Sequence, residues 1–156
     1  MTFDVDIEAF QGTDPVYVIA EEVFAAMVDG ESGHLRTWDG PEPPLVEEVH
    51  AWVDVHGAMS GRVLLSTEQP TARRITRALL GMTPDEAVGD ADLVDALGEV
   101  ANVVGGNLKA LVAHPGAMTL PEVTRERPHT DPDSLIYALS LDWRGRPLVI
   151  TLWSLP

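Results

Sequence analysis

Cysteine is absent from the 156-residue chain, which rules out a disulfide framework, a zinc–thiolate centre and a thiol nucleophile. Basic residues are scarce: 10 Lys and Arg stand against 25 Asp and Glu, for a formal net charge of −15 and a pI near 4.4. Nucleic-acid backbones and anionic membrane surfaces both reward clustered cations, so neither is an expected partner. Long apolar runs are missing as well. The opening MTFDVDIEAF has no basic start and no apolar core of a signal peptide, and no later stretch is apolar enough to span a bilayer. The expected setting is therefore cytoplasmic, with residues 1–156 as one domain able to bury a core and residues 1–13 as a flexible lead.

What is present is organised around Asp90 to Ala113, DADLVDALGEVANVVGGNLKALVA. Leu93, Leu97, Val100, Val104, Leu108 and Leu111 recur at spacings of three and four, which lines them along one side of a helix as a core face. Asp95, Glu99, Asn102 and Gly106 fall nearly opposite and face water or a partner. Gly98, Gly105 and Gly106 each cost roughly 1 kcal/mol relative to Ala in a helix interior. The return for such a cost is close approach of another backbone. At Gly106, one turn beyond Asn102, the expected visitor is another protein; at Gly98 and Gly105, on the flank, packing inside the fold is the alternative.

Before this helix, Asp14-Pro15 signals a helix start, Val16, Ile19, Val23 and Met27 form its stripe, and Asp29-Gly30 closes it. Residues 30–44 carry no periodicity and read as a long loop, with Trp38 expected to pin it to the body. Leu45 to His56 reads as a strand, with Val49, Ala51, Val53 and Val55 on one face and His50, Trp52, Asp54 and His56 on the other. Gly57 to Gly61 turns the chain and Arg62 to Thr67 returns as a hairpin partner. Pro70-Thr71 opens a helix carrying Ala72, Ile75 and Leu79 that Gly81 stops, and Thr83 to Glu86 fits a capping box leading into a short helical turn.

After it, His114-Pro115-Gly116 ends the central helix. Met118 to Arg127 reads as a strand interrupted at Pro121, hence near an edge or bulge. A polar loop, Pro128 to Ser134, leads to a closing hairpin: Leu135 to Trp143 alternates, Arg144-Gly145-Arg146 turns, and Leu148 to Leu155 returns. Helices and strands are segregated along the chain, which predicts an α+β fold: a two-layer sandwich with the long helices packed on one face of an antiparallel sheet.

GRVLLSTEQPTARRITRALLG followed by DLVDALGEVANVVGGNLKALV resembles the CheX/CheC family of phosphatases that act on phosphorylated response-regulator receiver domains. The family hallmark is a Glu-x-x-Asn pair on the exposed side of a long helix, followed by Gly-Asn. Here it reads Glu99-Val100-Ala101-Asn102, with Gly106-Asn107 behind it, and the likeness runs from about Val49 to Val112. Some members carry a second pair on the first helix. In this chain Glu21 and Glu22 are followed at the third place by Phe24 and Ala25, which leaves one site and matches the CheX-like branch.

The resemblance implies a definite chemistry. Residues three apart on a helix are neighbours, so both side chains can enter one partner's site. Phosphoryl transfer through a loose transition state asks for positioning more than for a strong base. Asn102 is the candidate to hold a water in line with phosphorus, and Glu99 the candidate to engage a lysine beside the receiver's phosphorylation site. Asp95 and Gly106 are candidate docking residues. No cofactor is expected on this chain, the Mg2+ that neutralises the phosphate being expected on the partner receiver's own carboxylates. Asn107 is expected to bond nearby backbone, and Lys109 to be a surface charge.

Other readings stand beside this one. Glu and Asn on a helix surface are often merely solvated, and the same fold could serve as a catalytically inactive receiver-docking adaptor or a dimerising scaffold. A homodimer is expected if the sheet pairs its edges. The five histidines raise a metal site, but His50 and Asp54 would stand about 13 Å apart along a strand rising roughly 3.3 Å per residue, too far to share one ion. Trp52 on that face marks a covered sheet surface or a dimer contact.

Overall fold

Asp14 and Pro15 open the first helix as their order requires. In the computed structural model, which describes residues 14–57, 60–112 and 116–156, α1 spans Pro15–Val23, and Asp14 Oδ1 accepts from the backbone N–H groups of Val16 (2.9 Å) and Tyr17 (3.3 Å). The expected stripe continues only to Val23. From Phe24 to Asp29 the chain winds as a π turn, which Gly30 ends in the left-handed region. Hydrogen bonds closing five residues apart carry Val28 inward with Phe24, and Met27 is left half-buried at the core margin.

The segment read as a long loop contains a strand. Leu35–Thr37 forms β1, Leu35 is 1% exposed, and Tyr17 donates its hydroxyl to the Leu35 carbonyl at 2.8 Å. Leu35 is therefore the pin. Trp38 is half-buried and held through its backbone N–H, which donates to the Ser140 carbonyl at 3.0 Å. The following strand, β2, starts later than the apolar run suggests, at Glu48–His56. Glu47 adopts φ +54° and its carbonyl accepts from Gln69 N–H, so the chain turns there first.

β2 pairs antiparallel with β3 (Gly61–Glu68) from Glu48↔Glu68 to Val55↔Gly61; of the turn between them, Ala58 and Met59 lie outside the described residues. α2 (Gln69–Leu80) buries Thr71, Ala72, Ile75 and Thr76 and stops at Gly81 in the left-handed region. At Thr83 half of the capping box forms: Glu86 Oε1 accepts from both Thr83 N–H and Oγ1 at 3.3 Å, but Glu86 N–H donates to the Thr83 carbonyl at 3.1 Å instead of to its hydroxyl. A turn follows rather than a helix.

α3 is Asp90–Lys109. It ends short of Ala113 because its last turn tightens: Leu111 N–H donates to the Leu108 carbonyl (3.0 Å) and Val112 N–H to the Lys109 carbonyl (3.1 Å). His114 and Pro115, read as the stop, lie outside the described residues. Leu93, Leu97, Val100, Val104 and Leu108 are buried as the periodicity requires, and Leu111 is half-buried. At about 1.5–3 kcal/mol for each buried aliphatic side chain, that stripe outweighs the roughly 3 kcal/mol that three interior glycines forfeit.

β4 (Ala117–Met118) and β5 (Glu122–Thr124) are two pieces of one edge, both paired with β2 and parted at Leu120-Pro121. β6 (Leu135–Trp143) and β7 (Arg146–Ser154) form the closing hairpin, whose two-residue turn has Arg144 at φ +51° and Gly145 at φ +85°, the geometry that suits strand twist. The described strands make one antiparallel sheet in the order β1-β6-β7-β3-β2-β4, with β5 also on β2. The fold is the expected α+β sandwich. Val49, Ala51, Val53, Val63, Leu65, Leu148 and Ile150 face the helices, and both sheet edges are short or broken, one of the ways edges are blunted against pairing.

The opposite face of the sheet is covered too. Trp52, Leu64 and Trp153 cluster there, and Arg62 lies over the Trp52 ring at 5.3 Å while gripping Asp54 through two hydrogen bonds of 2.7 and 3.0 Å. Of the two roles open to Trp52, the chain itself provides the first. No helix among the described residues is long and apolar enough to cross a membrane.

Candidate docking and catalytic face

The glycines of α3 set where its open face lies. A Cβ at Gly105 would overlap the Cγ2 methyl of Val53, so β2 packs against that flank only because the residue is glycine. At Gly98 a Cβ would stand 3.5 Å from the Pro121 ring, in ordinary contact. The β4–β5 edge therefore runs along the helix, with Met118 beside Gly105 and Gly106 and Pro121 beside Gly98. One flank of α3 is clamped against the sheet, its stripe is buried, and what remains open is the strip carrying Asp95, Glu99, Asn102 and Gly106.

Asp95 and Glu99 are exposed, and Asn102 and Gly106 are half-buried. Glu99 and Asn102 are brought together as consecutive-turn neighbours. Neither side chain makes a hydrogen bond or ion pair among the described residues, so their acceptors and donors remain available to a visitor. Asn107 differs: its Nδ2 donates to the Val103 carbonyl at 3.0 Å, the local bond expected for it. Beside Gly106 the nearest atom a Cβ would meet is the Met118 Cε at 3.9 Å. Nothing among the described residues demands glycine there.

Leu120 is a feature that sequence reasoning missed. It is 86% exposed at the break between β4 and β5, on the edge that passes Gly105 at Met118 and Gly98 at Pro121. The available signal was Leu120-Pro121 itself, an apolar residue ahead of a proline that cannot continue a ladder.

The histidine face has a structural character. His50 is fully buried; its Nδ1 lies 2.8 Å from Ser66 Oγ, and its Nε2 has no hydrogen-bond partner among the described residues, with Glu48 Oε1 at 3.7 Å. Burial holds the His50 pKa below the ordinary imidazole value, Arg127 adds to the effect, and Glu48 opposes it. Among the described residues, no three His, Asp or Glu side chains gather where they could hold a metal ion.

A family model described as chemotaxis phosphatase CheX matches residues 49–136. A comparison with curated proteins returns no match. Among solved structures the chain is similar to chemotaxis protein CheX from Vibrio vulnificus, with a TM-score of 0.69 and 19% identity over 90% of this chain and 94% of that one. It is similar to a CheX from Desulfovibrio desulfuricans, with a TM-score of 0.66 and 20% identity over 90% and 97%. A complex of CheX with CheY, BeF3 and Mg2+ from Borrelia burgdorferi matches with a TM-score of 0.69 and 15% identity over 98% and 100%.

Proposed function

The chain belongs to the CheX family, and from that premise we propose that it hydrolyses the aspartyl phosphate of a response-regulator receiver domain, using the open strip of α3. The observation that carries the reading is the Glu99–Asn102 pair: two polar side chains one helical turn apart, unengaged among the described residues, on a face that the glycine-lined flank leaves clear. The Borrelia complex supports a receiver partner in its phosphorylated form, since BeF3 is a stand-in for a phosphoryl group.

In this mechanism α3 docks over the receiver's phosphorylation site. Glu99 pairs with a lysine beside that site and fixes the pose. Asn102 holds a water against phosphorus, opposite the leaving carboxylate. The water oxygen bonds to phosphorus, the bond between phosphorus and the aspartyl oxygen breaks, and inorganic phosphate leaves with the regenerated carboxylate behind it. The amide takes no proton. Its contribution is placement, in a reaction whose transition state rewards placement and charge neutralisation. Mg2+ held by the receiver's carboxylates would neutralise the phosphate charge, and this chain would supply orientation. Asp95 and Gly106 border the docked surface, and Leu120 offers an apolar contact at its margin.

The decay of phosphate on purified receiver domains, with Mg2+ and with or without this protein, tests the reading. Wild type should speed the loss on a cognate receiver. Asn102→Ala should lower the rate by about 10²-fold, the scale of losing one positioned group, with the fold intact; Glu99→Ala should weaken docking and turnover together. Unchanged turnover in Asn102→Ala would sink the assignment. Binding of a phosphorylated receiver with no faster loss of phosphate would make the chain an adaptor.

A further inference from the structure

A cavity of about 610 Å³ opens where α2, the π turn and the β6–β7 hairpin meet. Arg74, Arg77 and Arg144 line it, three of the 10 Lys and Arg in a chain of net charge −15. One carboxylate lines it as well. Asp29, whose side chain is 2% exposed, accepts from Trp143 Nε1 at 3.1 and 3.3 Å and from Arg144 Nε at 2.9 Å. It therefore balances Arg144 from beneath. Arg77 Nε donates to the neutral Glu86 carbonyl at 3.0 Å, and Arg74 has no ion pair among the described residues. Among the described residues, then, Arg74 and Arg77 line the cavity without an ion pair.

The π turn, a rare geometry that is frequent at functional sites, is what carries Val28 and Asp29 to the cavity. Arg144 is presented by the hairpin turn, whose first position takes its φ of +51°. Placement in the last turn of α2 accounts for Arg77 through the helix dipole, but not for Arg144, which arrives from the hairpin across the gap. The rest of the lining is apolar: Val28, Ala78, Met82 and Pro84.

We propose that this cavity binds a nucleotide: a small phosphorylated molecule with a planar ring, its phosphate oxygens held by Arg74 and Arg77 and its ring set against the Val28–Met82–Pro84 wall. The forked donors of guanidinium suit phosphate oxygens, and the volume falls within the range of small-molecule sites. The acidic surface that repels a long polyanion acts weakly here, because at ordinary salt fields fade over about 10 Å and a small anion feels mainly its nearest charges. The site is independent of the Glu99–Asn102 face, and its test does not use phosphatase activity.

Isothermal titration of the intact protein with AMP, ATP, GMP and GTP in turn reads the proposal directly, with inorganic phosphate, adenosine and guanosine as controls. At least one nucleotide should bind, with its nucleoside and free phosphate about tenfold or more weaker. Arg74→Gln, at an exposed position with no partner among the described residues, should keep the melting temperature and weaken binding about tenfold; Arg77→Gln should act in the same direction. Absence of binding by every nucleotide overturns the proposal, as does binding that neither variant weakens. Phosphate binding as tightly as any nucleotide overturns the assignment of a ring-bearing ligand.

Discussion

Gly105 and Gly106 are adjacent in sequence, and the same substitution should act on them in opposite ways. Replacing either with Ala removes a helix-interior penalty of about 1 kcal/mol. At Gly106 the added methyl would meet only the Met118 Cε at 3.9 Å, so Gly106→Ala should keep most of that gain. For a domain of this size the melting temperature should rise by about 2–4 °C. At Gly105 the methyl would overlap Val53 Cγ2, and overpacking of that kind costs typically 1–3 kcal/mol. Gly105→Ala should therefore come out up to about 2 kcal/mol less stable. Val53→Ala should partly rescue it, giving a favourable coupling in the double-mutant cycle.

The stabilised Gly106→Ala variant then separates folding from function. If a receiver backbone comes close at Gly106, a methyl that holds it off by about 1 Å should cost on the order of 10²-fold in turnover, in a protein that melts higher than wild type. Circular dichroism melts and receiver dephosphorylation rates measure the two effects. Turnover equal to wild type would refute close approach at Gly106. A lower melting temperature would refute the open space beside Met118.

Three further outcomes follow from other parts of the structure. His50 is buried with its pKa lowered, so below the ordinary imidazole value of about 6.5 the unfolded chain binds a proton that the folded one refuses. Stability should fall as pH drops through and below that value, by at most about 1.4 kcal/mol per pH unit from this group; melts between neutral and mildly acid pH should show a slope that flattens in His50→Gln, and an identical slope would refute the assignment. Asp29→Ala removes the acceptor of Trp143 Nε1 and Arg144 Nε and should cost about 1.5–3 kcal/mol in denaturant unfolding; a neutral result would mean the contacts add nothing. Leu120→Ser, at a position 86% exposed, should leave the melting temperature unchanged and weaken receiver binding, and unaltered affinity would remove Leu120 from the docking surface.

Much of this architecture could be read from the chain because single physical causes act over several residues. The α3 stripe repeats through five buried side chains, and the Arg144-Gly145 turn states its own geometry. Where two causes compete, the reading failed. Phe24, Met27 and Val28 are all apolar, so an α register and a π register both bury something, and only packing of the whole layer decides for Phe24 and Val28. Leu35–Thr37 is too short for alternation to show, and its one buried leucine looks like any loop residue. His50 and Trp52 read as a second strand face, either covered or a dimer contact, because strand periodicity separates the two sides of a sheet without saying what covers either one. Glu99 and Asn102 stood out through family resemblance. Their geometry adds that both side chains are unengaged among the described residues, which no periodicity could reveal.

The Arg74–Arg77–Arg144 cavity shows the converse limit. A net charge of −15 argues against long polyanions, because their affinity sums over many phosphates and a distributed field. A site for one small anion needs only two or three local cations, and net charge is blind to it. Arg74 and Arg77 lie one turn apart on α2, but Arg144 joins them across a separation of 67 positions that only the fold closes. The docking face poses the same question in reverse. A receiver that is itself acidic must approach α3 against repulsion, so at low salt its encounter rate should rise as salt is added. A fall instead would mean that a local cationic patch, with the α2 arginines the first candidates, steers the receiver in. Stopped-flow association rates of wild type and Arg74→Gln across a salt series decide between the two.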